Sequence, residues 1–164
     1  MIVLRRAKEQ DIESIQDLAN RTWYVTYGDY LSVEQIDYML DKMYNKGELL
    51  SQFKEGYIFL MAEEDGIDLG FAGFSVLDSA TGTYKLHKLY VLPETHGRGV
   101  GKLLMNEVVN LVKRADGAFL QLSVNRNNKA AKFYKKAGFI VKETIDIDIG
   151  NGFLMNDYIM EKAL

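Results

Sequence analysis

Hydrophobic positions along this chain change period several times, and each change marks an element. Ile2 to Arg5 reads as a short strand. From Asp11 the spacing turns helical: Ile12, Ile15, Leu18 and Ala19 share one face. Asp11 sits where the positive end of the helix dipole favours a carboxylate. Trp23, Tyr24, Tyr27 and Tyr30 crowd the end of this helix. Ser32, with Gln35 three residues on, has the form of a capping box. Behind it Val33, Ile36, Leu40 and Met43 line one side of a second helix. Asn45-Lys46-Gly47 breaks that pattern, and Glu48 to Lys54 predicts a further short helix.

The middle of the chain is β-rich. Tyr57 to Ala62, Leu69 to Leu77 and Thr83 to Val91 predict three strands of a meander, separated by turn signals at Glu64-Asp65-Gly66 and Asp78 to Gly82. Gly70 and Gly73 permit a bend or a close approach inside the second of these. Helical spacing returns at Val100, Leu103, Leu104, Val108 and Leu111 and leads to an apolar strand, Phe119 to Val124. A crossover of that length implies parallel pairing. Asn127 is expected to cap a short helix ending at Gly138, a good residue for a left-handed helix terminus. Phe139 to Val141 starts another strand, Lys142 to Gly152 reads as a polar loop or hairpin, and Phe153 to Met160 closes the chain as a strand. Without repeats or a linker, residues 1–164 are expected to form one α/β (α+β) domain.

The junction Leu89 to Lys102 carries the first chemistry. Pro93 ends the β run, since it has no N–H for a sheet ladder. Gly97, Gly99 and Gly101 follow at alternate positions and feed the helix beginning near Val100. A glycine turn at a helix N-terminus leaves N–H groups unpaired where the dipole is positive, so it suits an anion. Arg98 and Lys102 add full charges. A Walker A loop is excluded by spacing, and Leu103 stands where its magnesium-binding hydroxyl belongs. A dinucleotide fingerprint is excluded because the glycines alternate, deep in the chain and past a proline.

Composition narrows the classes. Net charge is −3, which offers no nucleic-acid surface and is compatible with a cationic substrate. There is no cysteine, which excludes disulfides, a cysteine zinc site and a cysteine nucleophile. His87 and His96 are the only imidazoles, so no metal site is expected. The segment Met1-Ile2-Val3-Leu4-Arg5-Arg6 is too short for a signal peptide's apolar core, and no apolar run is long enough to span a bilayer. A cytoplasmic protein is expected, with no membrane partner.

His96-Gly97-Arg98-Gly99-Val100-Gly101 resembles the coenzyme A loop of the GNAT acetyltransferases, whose core is Gln/Arg-x-x-Gly-x-Gly/Ala. His96 replaces the usual Gln or Arg. A second block, Leu122 through Phe139, is similar to the other hallmark of that family. It has a strand, Asn127 at a helix start, an alanine, Tyr134 seven residues after the asparagine, and Gly138-Phe139. The resemblance implies the GNAT acyl-CoA N-acyltransferase fold. That is a mixed central sheet with helices on both faces, splayed at the cofactor site between the strands ending at Val91 and Val124.

The same resemblance implies acetyl-CoA as co-substrate. Its arm would pair with the backbone of Leu89, Tyr90 and Val91. Its pyrophosphate would rest on Gly97, Arg98, Gly99, Val100, Gly101 and Lys102, beside His96. Asn127 would touch the arm, and Tyr134 would lie by the thioester sulfur. A phenol is protonated at neutral pH, so Tyr134 suits the acid that serves the leaving thiolate. His87 titrates in the range of a general base; the competing reading is a strand histidine with no proton-transfer role. Lys85 and Lys88 read as solvated. Trp23 and Tyr27 are the candidate acceptor contacts, with core packing as the alternative.

Narrower likeness lies in Trp23 with Thr26-Tyr27, in Lys85 through Val91, in Leu122 through Asn127, and above all in the tail Ile149 through Lys162, with its Met155-Asn156-Asp157-Tyr158. These resemble the PaiA-type polyamine acetyltransferases. The resemblance implies transfer of an acetyl group to a small primary amine such as spermidine or spermine. Acetylation of a protein N-terminus, a lysine or an aminoglycoside stays open, as does a non-catalytic acyl-CoA-binding regulator. A homodimer is compatible with the resemblance.

Overall fold

The computed structural model describes residues 1–164. β1 (Val3–Arg6) is followed by α1 (Ile12–Tyr27), α2 (Val33–Tyr44) and α3 (Lys46–Lys54). The meander is β2 (Ile58–Glu64), β3 (Ile67–Asp78) and β4 (Thr83–Val91). Then come α4 (Val100–Arg114), β5 (Phe119–Asn125), α5 (Ala130–Lys136), β6 (Ile140–Gly150) and β7 (Phe153–Ala163). The strands form a seven-stranded sheet in the order β1-β2-β3-β4-β5-β7-β6.

Local chemistry sets the element ends. Ser32 Oγ accepts from the Gln35 N–H at 3.1 Å, so the N-cap forms as expected. The reciprocal half of the box does not: the Gln35 side chain instead donates to the Leu154 carbonyl at 3.0 Å and ties α2 to β7. Asn45 Oδ1 accepts from the Glu48 N–H at 2.8 Å, which starts α3 at Lys46, ahead of the expected Glu48. Asn127 is not a cap. The turn before α5 is held by its neighbours: Asn125 Oδ1 accepts from the Asn127 N–H and Asn128 Oδ1 from the Ala130 N–H, both at 2.9 Å. Gly138 ends α5 with φ +97°, and Lys162 donates to the Ala137 carbonyl at 2.6 Å. The expected polar loop Lys142 to Gly152 is mostly strand. β6 pairs with β7 from Ile140 to Gly150, and only the Gly150–Gly152 turn connects them. Its side chains are largely exposed, which erased the alternation that signals a strand.

The two faces of the sheet carry separate cores. α4 and α5 cover Leu60, Phe74, Leu86, Leu120, Leu122 and Met160 on one face. α1, α2 and α3 cover Phe59, Met61 and Phe71 on the other, with Trp23, Tyr27 and Tyr44 packed among them. Arg5 pins the sheet edge to α1. It binds both oxygens of Asp11 at 3.0 Å and Glu63 at 2.9 Å.

β4 and β5 pair in parallel only from Thr83–Phe119 to Leu86–Leu122. Beyond that, β4 stays with β3 as far as Val91–Gly70, while β5 stays with β7 as far as Asn125–Asp157. The sheet therefore opens in its middle.

Gly70 lets β3 and β4 approach closely beside that opening. A Cβ there would lie 2.7 Å from the Tyr90 carbonyl oxygen and 3.1 Å from Val91 Cα. Both are backbone atoms of a paired strand and cannot rotate aside. Gly70→Ala is expected to lower stability by about 1–3 kcal/mol, as overpacking does, read as a lower denaturant midpoint. An unchanged midpoint would show that this approach is not tight.

Candidate active site

The opening has an unpaired backbone edge. Leu92 N–H donates to Leu69 O at 2.8 Å, on the β3 side. Because antiparallel N–H directions alternate, the Leu89 and Val91 N–H groups point away from β3, into the gap. This half-buried edge offers peptide donors to an extended ligand with amide-like groups.

The edge runs directly into the glycine turn. Gly97 and Gly99 have φ of +87° and +78°, the left-handed region that only glycine enters cheaply. A Cβ at either would meet nothing within 4 Å, so the surface above them is open. Gly99 is the N-cap of α4, and the first helical bond is Leu103 N–H to Gly99 O at 3.0 Å. The N–H groups of Val100, Gly101 and Lys102 precede it and have no acceptor within the helix. Gly101 packs toward Phe133 and Val91, bringing the turn against α5 and the gap. His96 and Lys102 are exposed. Arg98 does not stand free: its Nη2 lies 2.8 Å from both Glu64 oxygens, so its charge is already countered. The turn fits a pyrophosphate through backbone N–H groups, the α4 dipole and Lys102.

Tyr134 of α5 faces the gap from the other flank. It is buried, and burial alone pushes its phenol further above the ordinary value, so it stays protonated. It lies close enough to raise the phenols of Tyr27 and Tyr90 as well. Those two hydroxyls share a hydrogen bond of 2.8 Å. Asn127 is exposed on the loop between β5 and α5.

Trp23 and Tyr27 are both buried in the core beneath α1. Trp23 packs 4.7 Å from Tyr27 and 5.6 Å from Tyr90, centroid to centroid. In this arrangement they brace Tyr90 of the gap edge and offer no open face to an acceptor.

His87 is placed differently from a base. It is the extra residue where the β3–β4 register shifts, since Gly73 pairs with Lys88 and Phe74 with Leu86. Its ring stacks 4.4 Å from Tyr57, and Nε2 lies 2.7 Å from Ser75 Oγ. Burial, with Lys85 and Lys88 nearby, lowers its pKa to about 3. A group so weakly basic cannot take a proton from an ammonium at neutral pH, so the geometry corrects the expectation and favours packing.

Lys88 was expected in solvent but is buried. Its Nζ donates to Gln52 Oε1 at 3.1 Å and lies over the rings of Tyr44, Tyr57 and Phe59 at 5.2, 5.9 and 5.9 Å. The missed signal is the β-bulge, which puts His87 and Lys88 on the same side of the sheet against the alternation that sequence reading assumes.

The family model for the acetyltransferase (GNAT) domain matches residues 55–141, from the end of α3 to the start of β6. The chain belongs to the GNAT acetyltransferases. Spermidine N(1)-acetyltransferase of Thermoplasma acidophilum is 30% identical over 167 aligned positions, covering 98% of this chain and 96% of the relative. The crystal structure of PaiA N-acetyltransferase from Thermoplasma acidophilum in complex with coenzyme A superposes with a TM-score of 0.84 at 28% identity, covering 100% of this chain and 99% of that one. The [ribosomal protein bS18]-alanine N-acetyltransferase of Haemophilus influenzae is 35% identical over 94 residues, 57% of this chain and 62% of the relative. The seven-stranded sheet is thus the GNAT sheet.

Burial holds the Lys88 pKa down at about 8. The unfolded chain binds this proton up to about pH 10.4, so between these values the unfolded state carries more proton. Stability from this residue therefore rises as pH increases from about 8. Lys88→Met is expected to remove that rise when unfolding is measured across the window. An identical slope in both proteins would show that Lys88 is solvated.

Proposed function

We propose that this GNAT enzyme transfers the acetyl group of acetyl-CoA to a small primary amine, with a polyamine such as spermidine as the acceptor. The observation that carries the reading is the unpaired β4 edge running into the Gly97–Gly101 turn, with Tyr134 across the gap. Acetyl-CoA, when bound, supplies an acetyl group activated as a thioester. The residues of this chain do the rest. Leu89 and Val91 N–H groups hold the extended arm and are the donors available to a carbonyl oxygen as it gains charge. Gly97 to Lys102 anchor the phosphates. The Tyr134 hydroxyl, kept protonated by burial, supplies the proton or hydrogen bond that a departing thiolate needs. The near-full-length likeness to a spermidine N(1)-acetyltransferase supports the polyamine. The partial likeness to an enzyme acting on a ribosomal-protein alanine supports a second reading, a peptide N-terminus.

Release of free thiol from acetyl-CoA separates these readings. The chain has no cysteine, so it contributes no background. With spermidine, spermine, an alanine-terminated peptide, a lysine peptide and an aminoglycoside as acceptors, turnover is expected with the polyamines. Turnover only with the peptides would replace the acceptor and keep the enzyme. Tyr134→Phe is expected to lower kcat by about 100-fold, within the range for general acids, with acetyl-CoA affinity unchanged; equal kcat would remove its acid role. Gly99→Glu puts bulk and negative charge on a left-handed position above the open turn. It is expected to abolish acetyl-CoA binding in a calorimetric titration, and unchanged affinity would refute the cradle.

A further inference from the structure

The Met155-Asn156-Asp157-Tyr158 segment carries the narrower likeness but has no chemical role above, and the structure buries one of its residues near the opened part of the sheet. Asp157 pairs with Asn125, beyond the last β4–β5 pair at Leu86–Leu122, so it stands on β7, next to the β5 strand that borders the opening. Tyr158 and Met160 pack into the α4–α5 core while Met155 packs into the other. Alternation therefore turns Asp157 toward the α1–α3 side, the side of Tyr27, Tyr30 and Tyr90.

Asp157 is only 5% exposed, and its Oδ1 has no hydrogen-bond partner. The Tyr30 hydroxyl, equally shut off from solvent, also has none. The two lie close enough for the carboxylate to raise the Tyr30 phenol. Arg126 and Lys85 are the nearby cations. Arg126 directs Nη2 to the Ile145 carbonyl and the Asp146 carboxylate of β6, leaving its Nε unpartnered. Burial holds the Asp157 carboxyl above its ordinary range, against the opposing pull of Arg126 and Lys85. An unpaired buried carboxylate and phenol oxygen together are costly. The group that satisfies both is one with several donors and positive charge, and a primary ammonium has three donors and no acceptor.

We propose that Asp157 and Tyr30 form a subsite on the Tyr27–Tyr90 side of the opening that binds an ammonium of the acceptor, and so determine specificity. This rests on the reading that the enzyme acetylates a small amine. The carboxylate supplies the counter-charge, and the Tyr30 oxygen accepts a second hydrogen bond. Neutral molecules of the same shape gain nothing from the pair, so charge selects the acceptor.

The test uses the thiol-release assay with spermidine, or with whichever amine of the panel the wild type turns over best. Asp157→Asn keeps the shape and removes the charge. It is expected to raise KM for the amine at least ten-fold, with acetyl-CoA KM and the melting temperature unchanged. Tyr30→Phe is expected to raise the same KM a few-fold. Arg126→Gln removes a competing cation and is expected to leave that KM equal or lower. Wild-type turnover with an unaltered amine KM in Asp157→Asn overturns the subsite and leaves the acetyltransferase reading standing. A KM rise of the same size in Arg126→Gln also overturns it, because Asp157 would then serve only as a partner for Arg126. No thiol release by the wild type with any amine overturns the amine reading and the subsite with it.

Discussion

The parting of β4 from β5 after Leu86 and Leu122 is the constraint on which the rest of this molecule depends. A sheet that stops pairing in its centre leaves peptide groups unsatisfied where a continuous sheet would have none. The parting is held from both sides. β5 is kept on β7 by a register that continues to Asn125–Asp157. β4 is kept on β3, with the bulge at His87 and the contact of Gly70 with Tyr90 and Val91 fixing its course. Gly101 and Phe133 then close the wide end of the gap by packing the glycine turn on α5. The opening is thus held between two antiparallel ladders, β3–β4 and β5–β7.

The two cores that flank it differ in chemistry. Tyr134 is the one tyrosine among the buried hydrophobic residues of the α4–α5 core. The other core is rich in groups with a polar end: Trp23, Tyr27 and Tyr44, with Tyr30 and Tyr90 packed against them. Burial leaves these phenols protonated, so they act as neutral donors and acceptors near the gap. The apolar core thus holds one phenol, while the aromatic core presents a polar but uncharged wall. Lys88 shows the same preference for aromatic surroundings, since its ammonium is held over three ring faces and has only Gln52 to accept from it.

Most elements were legible because their periods are unbroken: the faces of α1, α2 and α4, the meander, and the crossover to β5. The glycine turn was legible because left-handed positions at Gly97 and Gly99 require that residue. What escaped reading follows from tertiary context. β6 exposes both faces along much of its length, so it has no alternation to read. The bulge at His87 shifts the side-chain phase of β4, which hid the burial of Lys88 and made His87 look available for proton transfer. Asn127 looked like a cap because it lies beside Asn125 and Asn128, and only geometry shows which asparagine takes which N–H. Trp23 and Tyr27 read correctly as an aromatic cluster, but whether it faces a ligand or a core depends on α2 and α3, which cover it.

The charges around the gap divide along its length, and this bears on how a net acidic chain handles a polyanion and a cation in one cleft. At the glycine end, Arg98 is matched by Glu64, so an anion there is met by backbone N–H groups, the α4 dipole and Lys102. Those partial charges are fixed by the fold and need no side chain to be ordered on binding, which lowers the entropic cost of holding a phosphate. At the β7 end, Asp157 keeps a buried oxygen unmatched although Arg126 is near, because Arg126 is drawn to Asp146 on β6. The β6–β7 hairpin, the part of the chain whose strand was hardest to read, thereby leaves a buried carboxylate oxygen unmatched on β7, while the glycine turn stays positive.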